Sequence, residues 1–364
     1  MNIFFWTSGF WPSIGGVETQ GLLFVQKMQK RGHSYLVVTQ KGHPSEKDEE
    51  IYEGIAIKRF DFKRILFNCG DTFKSVRNYV EWALQSFQPD IVHLSGCLGE
   101  SAILFSMLRN LFSIPVVLTN HAPHYGIKMP SIVRKVCSQA DRICCVSKWV
   151  IRETIKLIPE VKNKLRLIYN GIPLFSVAPT SLSFTPPVLM LIGRLSPEKG
   201  FSTAIEAFSL LKKRGSSAKL LIAGDGIERN LLLRLVRDLQ LGDSVTFTGA
   251  LKREEIPSTI NRASLVVIPS HFESFGLVAL EAMQMGRPVI ASRVGGLPEI
   301  ISSSEMGVLV PPNDPLALYK AIEVLINQPE KTIQMGAIGR TIALENFTID
   351  QNAAQYEALY NELQ

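Results

Sequence analysis

Two glutamates stand eight residues apart in Glu273-Ser274-Phe275-Gly276-Leu277-Val278-Ala279-Leu280-Glu281. The segment follows an apolar run, and Gly276 permits a tight backbone where a helix is expected to begin. The amides of Phe275, Gly276 and Leu277 then sit at a helix N-terminus, where N–H groups bind anions or sugar hydroxyls. Glu281 falls about two turns into that helix, within reach of a ribose, and Glu273 falls at its mouth. The spacing has a bland reading too, because an acidic residue in the cap region stabilises almost any helix.

A basic segment, Gly193-Arg194-Leu195-Ser196-Pro197-Glu198-Lys199-Gly200, follows the first apolar run of the second half. Arg194 and Lys199 suit the two sides of one diphosphate, since fixed cations stabilise the charge that a leaving nucleoside diphosphate gains. Ser196-Pro197-Glu198 also reads as an ordinary helix start with proline in the first turn. Gly224-Asp225-Gly226 ends the next run as a tight turn would. Near the N-terminus a loop holds Pro12, Gly15, Gly16, Val17 and Glu18, and its paired glycines let backbone amides approach a phosphate. The loop has neither GxGxxG nor GxxxxGK[ST], which disfavours dinucleotide and P-loop nucleotide binding.

Elements that position these residues alternate along the whole chain. Strands are predicted at Ile3–Trp6, Tyr35–Thr39, Ile55–Phe60, Ile91–Leu94, Pro115–Thr119, Arg142–Val146 and Leu165–Tyr169. The second half repeats the plan at Val188–Ile192, Lys219–Ala223, Ser244–Thr248, Leu265–Ile268, Pro288–Ala291 and Gly307–Val310. Helical periodicity fills the gaps, as in Val17–Lys30 and Thr72–Phe87, and the chain ends in helical stretches. Continuous Val, Ile and Leu runs suit parallel strands buried on both faces. The fold class is therefore α/β, with two Rossmann-like doubly wound domains whose strand-end loops face a central cleft. With 364 residues the chain suits two domains: 1–175, a Pro- and Ser-rich linker at 176–187, and 188–345. A C-terminal helix at 346–364 is expected to pack back toward the first domain.

In this order the segments resemble the retaining glycosyltransferases of family four, with the GT-B architecture. The likeness rests on Gly15-Gly16-Val17-Glu18, Gly193–Gly200, Gly224-Asp225-Gly226 and Glu273 with Glu281. Ala140-Asp141-Arg142 through Ser147, Ile168-Tyr169-Asn170-Gly171-Ile172 and Arg287-Pro288 through Glu299 add to it, so nearly the whole chain is covered. The resemblance implies a nucleotide-sugar donor and a hydroxyl acceptor, a saccharide, glycolipid or polysaccharide precursor. Arg194 and Lys199 would bind the diphosphate, Glu281 the ribose, and Glu273 with the amides of Phe275, Gly276 and Leu277 the donor sugar. Gly16 would bring its amide near the phosphates. A family histidine that contacts the sugar matches His121, with His124 as alternate. The implied chemistry is front-face displacement with retention, without a cofactor. No Asp-x-Asp pair is present and two cations are at hand, so no metal is expected. Assembly of bacterial surface polysaccharide or glycolipid is the expected setting.

The acceptor is expected on the first domain. Residues 1–175 carry 22 Lys and Arg against 14 Asp and Glu, while the whole chain has a net charge of +6. Within 57–67, Lys58, Arg59, Lys63 and Arg64 alternate with bulky apolar residues, a mix that suits either a membrane surface or a strand edge beside an aromatic cluster. The five cysteines, Cys69, Cys97, Cys137, Cys144 and Cys145, show no CxxC spacing and read as reduced thiols in a cytoplasmic protein, at the inner face of the membrane if the basic segment docks there. No apolar run is long enough for a membrane span, and no leader is expected. No nucleic-acid motif accompanies the basic charge. The competing reading in another class is a catalytically silent nucleotide-sugar-binding subunit.

Overall fold

The computed structural model describes the chain apart from residues 14, 67–69, 97–98 and 123–129. Cys69, Cys97 and His124 thus lie outside the described residues. The chain forms two compact units, one of Met1–Gly171 with Ile349–Gln364, the other of Ile172–Thr348.

In the first unit the strands are β1 (Asn2–Thr7), β2 (Ser34–Gln40), β3 (Glu49–Tyr52), β4 (Ile55–Phe60), β5 (Ile91–Ser95), β6 (Val116–Asn120), β7 (Arg142–Cys145) and β8 (Leu165–Leu167). They order as β3-β4-β2-β1-β5-β6-β7-β8. All neighbours are parallel except β3 on β4. The inner strands are Val, Ile, Leu and Phe nearly throughout and buried on both faces, which is why each reads as one apolar run. β3, Glu-Glu-Ile-Tyr, escaped the sequence reading because an edge strand is half polar and has no such run.

The second unit holds β9 (Val188–Ile192), β10 (Lys219–Ala223), β11 (Val245–Gly249), β12 (Leu265–Ile268), β13 (Val289–Ser292) and β14 (Val308–Val310). Their order is β11-β10-β9-β12-β13-β14, all parallel. The helix Phe201–Lys213 packs Ile205, Phe208 and Leu211 onto this sheet, giving a core continuous with Leu191, Leu220 and Ile222. Each predicted strand is present within one or two residues of its expected bounds. Among the described residues no helix is long and apolar enough to cross a membrane.

Segment 176–187, expected as a linker, is fastened to the second unit. Thr180 receives the buried Arg287 guanidinium on its carbonyl and hydroxyl, both at 2.8 Å. Arg287 also donates to Ile260 O at 3.2 Å, Asn261 O at 2.9 Å and Asn261 Oδ1 at 3.0 Å. The last helix, Ile349–Leu363, belongs to the first unit. Lys27 pairs with Asp350, Arg31 with Glu357, and Arg142 with Glu362 at 2.8 Å, while Ala353, Tyr356 and Tyr360 are buried in that unit's core.

Arg287 is 1% exposed and meets only neutral acceptors, so its removal takes away the bonds that tie Thr180 to Ile260 and Asn261 through one guanidinium. Arg287→Met is expected to lower unfolding stability by about 3 kcal/mol, read from urea denaturation of the full chain. A loss under 1 kcal/mol would show that 176–187 is held by other means.

Candidate active site

β9 and β12 are neighbours, while the chain leaves them in opposite directions, to β10 and β11 on one side and β13 and β14 on the other. Such a switch point opens a crevice beyond the carboxyl ends of the strands. The loop after β9 carries Arg194 and Lys199, and the loop after β12 carries Glu273. The two loops are laced by backbone bonds, His271 and Phe272 N–H donating to Glu198 O at 2.8 and 3.3 Å. Across them Lys199 Nζ donates to Glu273 Oε2 at 2.6 Å, with both side chains partly exposed. Arg194 is exposed at the start of the same loop.

Glycines let these backbones close. Gly224 has φ 142°, and a Cβ there would run into the carbonyl of Gly193. Gly295 has φ 54°, and a Cβ would strike the carbonyl of Glu273, which accepts from Gly296 N–H at 3.0 Å. Gly224, read in the sequence as part of a tight turn, serves close packing of the β9 and β10 loop ends. Gly295 and Gly296 were quoted only for resemblance, yet they set the backbone that presents Glu273.

The helix Leu277–Gln284 starts from Gly276 in the left-handed region, at φ 118°, so Phe275, Gly276 and Leu277 do lie at a helix N-terminus. Glu281 lies inside that helix and is 8% exposed. Burial pushes its carboxyl up to about 7, and the neighbouring Arg253 guanidinium draws it the other way. Arg253 itself is lowered by burial and raised again by Glu281. The sequence assigns Arg253 no role. A lone arginine after a Lys carries no spacing signal that would reveal Glu281 as its neighbour.

In the first unit β1 and β5 form the equivalent switch point. Gly15 caps and Gly16 begins the helix Gly16–Lys30 that follows β1, and the Glu18 carboxylate folds back against Gly9 and Gly15. His121 directly follows β6, its Nε2 3.0 Å from Ser95 Oγ at the end of β5. Behind them the buried His93 bridges Tyr360 Oη at 2.6 Å and Thr119 Oγ1 at 2.7 Å, and Thr119 Oγ1 meets Tyr356 Oη at 2.6 Å. Burial pushes His121 down to about 4, and burial with the nearby His121 pushes His93 to about 3, so both rings are neutral near pH 7. Sequence gave His93 no distinction, since it sits inside an apolar strand and its partners are remote.

The basic-apolar stretch resolves into two parts. Arg59 is 2% exposed and is held by Glu50 at 2.8 Å, Glu46 at 3.5 Å and the Trp11 carbonyl at 2.8 Å. Lys58 pairs with Glu49 at 2.6 Å and lies 5.3 Å from the Phe60 ring centroid. Lys63 and Arg64 are the exposed cations of the stretch. Cys137, Cys144 and Cys145 are buried, and burial raises the thiols of Cys144 and Cys145. Among the described residues no three His, Cys, Asp or Glu side chains gather as metal ligands.

Comparison with known proteins matches residues 14–174 to Glycosyltransferase Family 4 and residues 178–341 to Glycosyl transferases group 1. An alpha-D-kanosaminyltransferase of Streptomyces kanamyceticus is 35% identical over 298 residues, covering 73% of this chain and 76% of that protein. Sucrose-phosphate synthase from Thermosynechococcus elongatus shares the fold at TM-score 0.85 and 24% identity, over 100% of this chain and 98% of that one. HepE of Anabaena, solved with UDP and glucose, does so at TM-score 0.80 and 20% identity, over 100% and 99%. With both sheets doubly wound, parallel apart from the edge strand β3, and both halves matched, the chain belongs to glycosyltransferase family 4, the group 1 glycosyl transferases of GT-B fold.

Proposed function

We propose that this glycosyltransferase moves a sugar from a nucleoside-diphosphate sugar to a hydroxyl acceptor, with retention and without a metal. The observation that carries this reading is the Lys199–Glu273 pair at the β9–β12 switch point, with the buried Glu281 in the helix just beyond. Arg194 and Lys199 bind the diphosphate. Glu281 accepts from the ribose hydroxyls, and Glu273 with the amides of Phe275, Gly276 and Leu277 holds the donor sugar. His121 and the Gly15–Gly16 helix start serve from the first unit, where the acceptor binds. In the step itself the bond from the anomeric carbon to the phosphate oxygen breaks, and a bond to the acceptor oxygen forms on the same face. The acceptor proton passes to the departing phosphate oxygen. Lys199 and Arg194 meet the growing negative charge, a role for which one positioned donor is worth about 10²–10³ in rate.

UDP is the first nucleotide to test, because HepE was solved with UDP and glucose. A lipid-carried acceptor would meet Lys63 and Arg64, the exposed cations of 57–67. The alternative, a silent binding subunit, has the same ligands and no turnover; slow donor hydrolysis distinguishes the two.

Thermal shift against UDP, GDP, ADP and dTDP is expected to show one nucleotide stabilising the wild type, by about 2.7 kcal/mol at 100 times its dissociation constant. Lys199→Met is expected to lower transfer by about 10²–10³ with little change in acceptor KM. No shift with any nucleotide would overturn the donor assignment, and an unchanged rate in Lys199→Met would remove Lys199 from the reaction.

Glu281 gives a pH test. Its folded value of about 7 exceeds the ordinary 4.5, so the folded state holds the proton more tightly than the unfolded chain. Its contribution is most favourable below 4.5 and is lost as pH rises through 7, a swing of about 3 kcal/mol. Glu281→Gln is therefore expected to stabilise the ligand-free protein more at pH 8 than at pH 5, while abolishing the nucleotide shift. Equal midpoint changes at both pH values would contradict a buried, unneutralised carboxylate.

A further inference from the structure

Arg59 on β4 is buried, and its guanidinium meets groups from three other segments of the first unit. Nη1 donates to Glu50 Oε2 on β3 at 2.8 Å and to Lys47 O at 3.2 Å, and Nε lies 3.5 Å from Glu46 Oε2. These contacts hold the edge strand and the segment after β2. Nη2 turns to a different place and donates to Trp11 O at 2.8 Å. Trp11 belongs to the loop after β1, the one that runs on to Gly15 and Gly16. Two more contacts grip this loop, and both lead back to the same neighbourhood. The Trp11 ring stacks on Tyr52 of β3, with centroids 3.8 Å apart and planes 14° apart. Ser13 packs on Gly42, where a Cβ would stand 3.1 Å from Ser13 Oγ, and Gly42 N–H donates to Glu46 Oε2 at 2.9 Å.

A brace for β3 alone needs only a cation facing Glu46 and Glu50, and a lysine would supply one. A forked guanidinium can do more, holding a carboxylate with one nitrogen while another donates to a carbonyl in a different direction. Trp11 O takes that second arm. Gly15 and Gly16 have no side chains with which to fix their own place, and the first amides of a helix have no partner within it. We propose that Arg59 is a positioning residue for sugar transfer: by holding the Trp11 carbonyl it sets the loop that presents the Gly15 and Gly16 amides to the donor phosphates. The inference rests on the transferase reading, in which that helix start serves the reaction. Misplacing a positioned group by about 1 Å costs on the order of 10² in rate.

The test uses the full chain and two variants. Arg59→Lys keeps the charge facing Glu46 and Glu50 and loses the bond to Trp11 O. Glu50→Gln keeps that bond and loses a carboxylate partner. Three quantities are read: the thermal shift with UDP, deuterium exchange of the amides in 11–18 with and without UDP, and hydrolysis of UDP-glucose. In the wild type UDP is expected to slow exchange in 11–18. Arg59→Lys is expected to keep the UDP thermal shift, to lose that slowing, and to show a kcat at least about tenfold lower with KM within about threefold. Glu50→Gln is expected to keep the slowing, and a kcat within about twofold, even where its thermal midpoint falls. If Arg59→Lys does not fold, Arg59→Met with Glu50→Gln, which removes one charge of each sign, takes its place with the same expectation. A wild-type kcat and slowing in the Arg59 variant overturn the proposal. So does a Glu50→Gln that loses both to the same degree, since Arg59 would then brace the edge strand and nothing more. A wild type that UDP stabilises without slowing exchange in 11–18 also overturns it and leaves the donor reading standing. A wild type that UDP does not stabilise overturns the donor reading for UDP and takes this inference with it.

Discussion

Lys199 and Glu273 bring opposite charges to 2.6 Å at the carboxyl ends of β9 and β12, and much of the second unit's loop structure serves to keep them there. The pair is partly exposed, so it adds little to stability. Its position is set by backbone. Glu198 O takes two amides from the β12 loop, Gly193 N–H donates to Ala223 O at 3.0 Å, and Gly296 N–H donates to Glu273 O at 3.0 Å. Three separate loops are thereby locked at one sheet edge before any ligand arrives. A cation held in this way would need little reorganisation if, as proposed, a diphosphate took the place of its carboxylate partner, and that is the condition under which a fixed charge lowers a barrier.

Buried charges in this chain fall into two kinds. Arg59 and Arg287 are almost wholly enclosed, but carbonyls and carboxylates meet their guanidinium groups, so both act as internal braces. Glu281 is nearly as enclosed and has only the field of Arg253 to offset its desolvation. A charge satisfied by its own protein is explained by the fold. One left so poorly compensated is destabilising without a ligand, and groups of that sort concentrate at functional sites. The contrast sets Glu281 apart from the more conspicuous arginines, whose charges the fold itself satisfies.

The sequence displays whatever is local. β1, β9 and β12 are read directly because both faces are buried and the apolar run is unbroken, whereas β3 is missed because its edge position leaves it half polar. Lys199, Glu273 and Glu281 are legible because each follows a strand or opens a helix in a short segment. Arg253 beside Glu281, and the Trp11 carbonyl on Arg59, are not legible, since nothing along the chain ties residues from distant elements. His93 illustrates the limit: its partners Tyr360 and Thr119 lie 267 and 26 positions away, and only the folded unit brings them together.

That separation has a structural consequence for the first unit. His93, Thr119, Tyr356 and Tyr360 form a chain of neutral hydrogen bonds inside an aromatic core, with Phe24 4.8 Å from Tyr356 between ring centroids. A neutral imidazole donates from one nitrogen and accepts at the other, so the network is satisfied without placing a charge in the core. Half of its members come from the last helix, as does Asn352 in the wall of the small pocket beside His121. The surface pairs of Asp350, Glu357 and Glu362 hold that helix in register from outside, and the tyrosines hold it from within. The shape and polarity of the first unit's small pocket are thus set in part by residues that follow the second unit in the chain. The final helix supplies Asn352 and Tyr356 to that pocket's wall, so the wall is ordered only when this helix is docked.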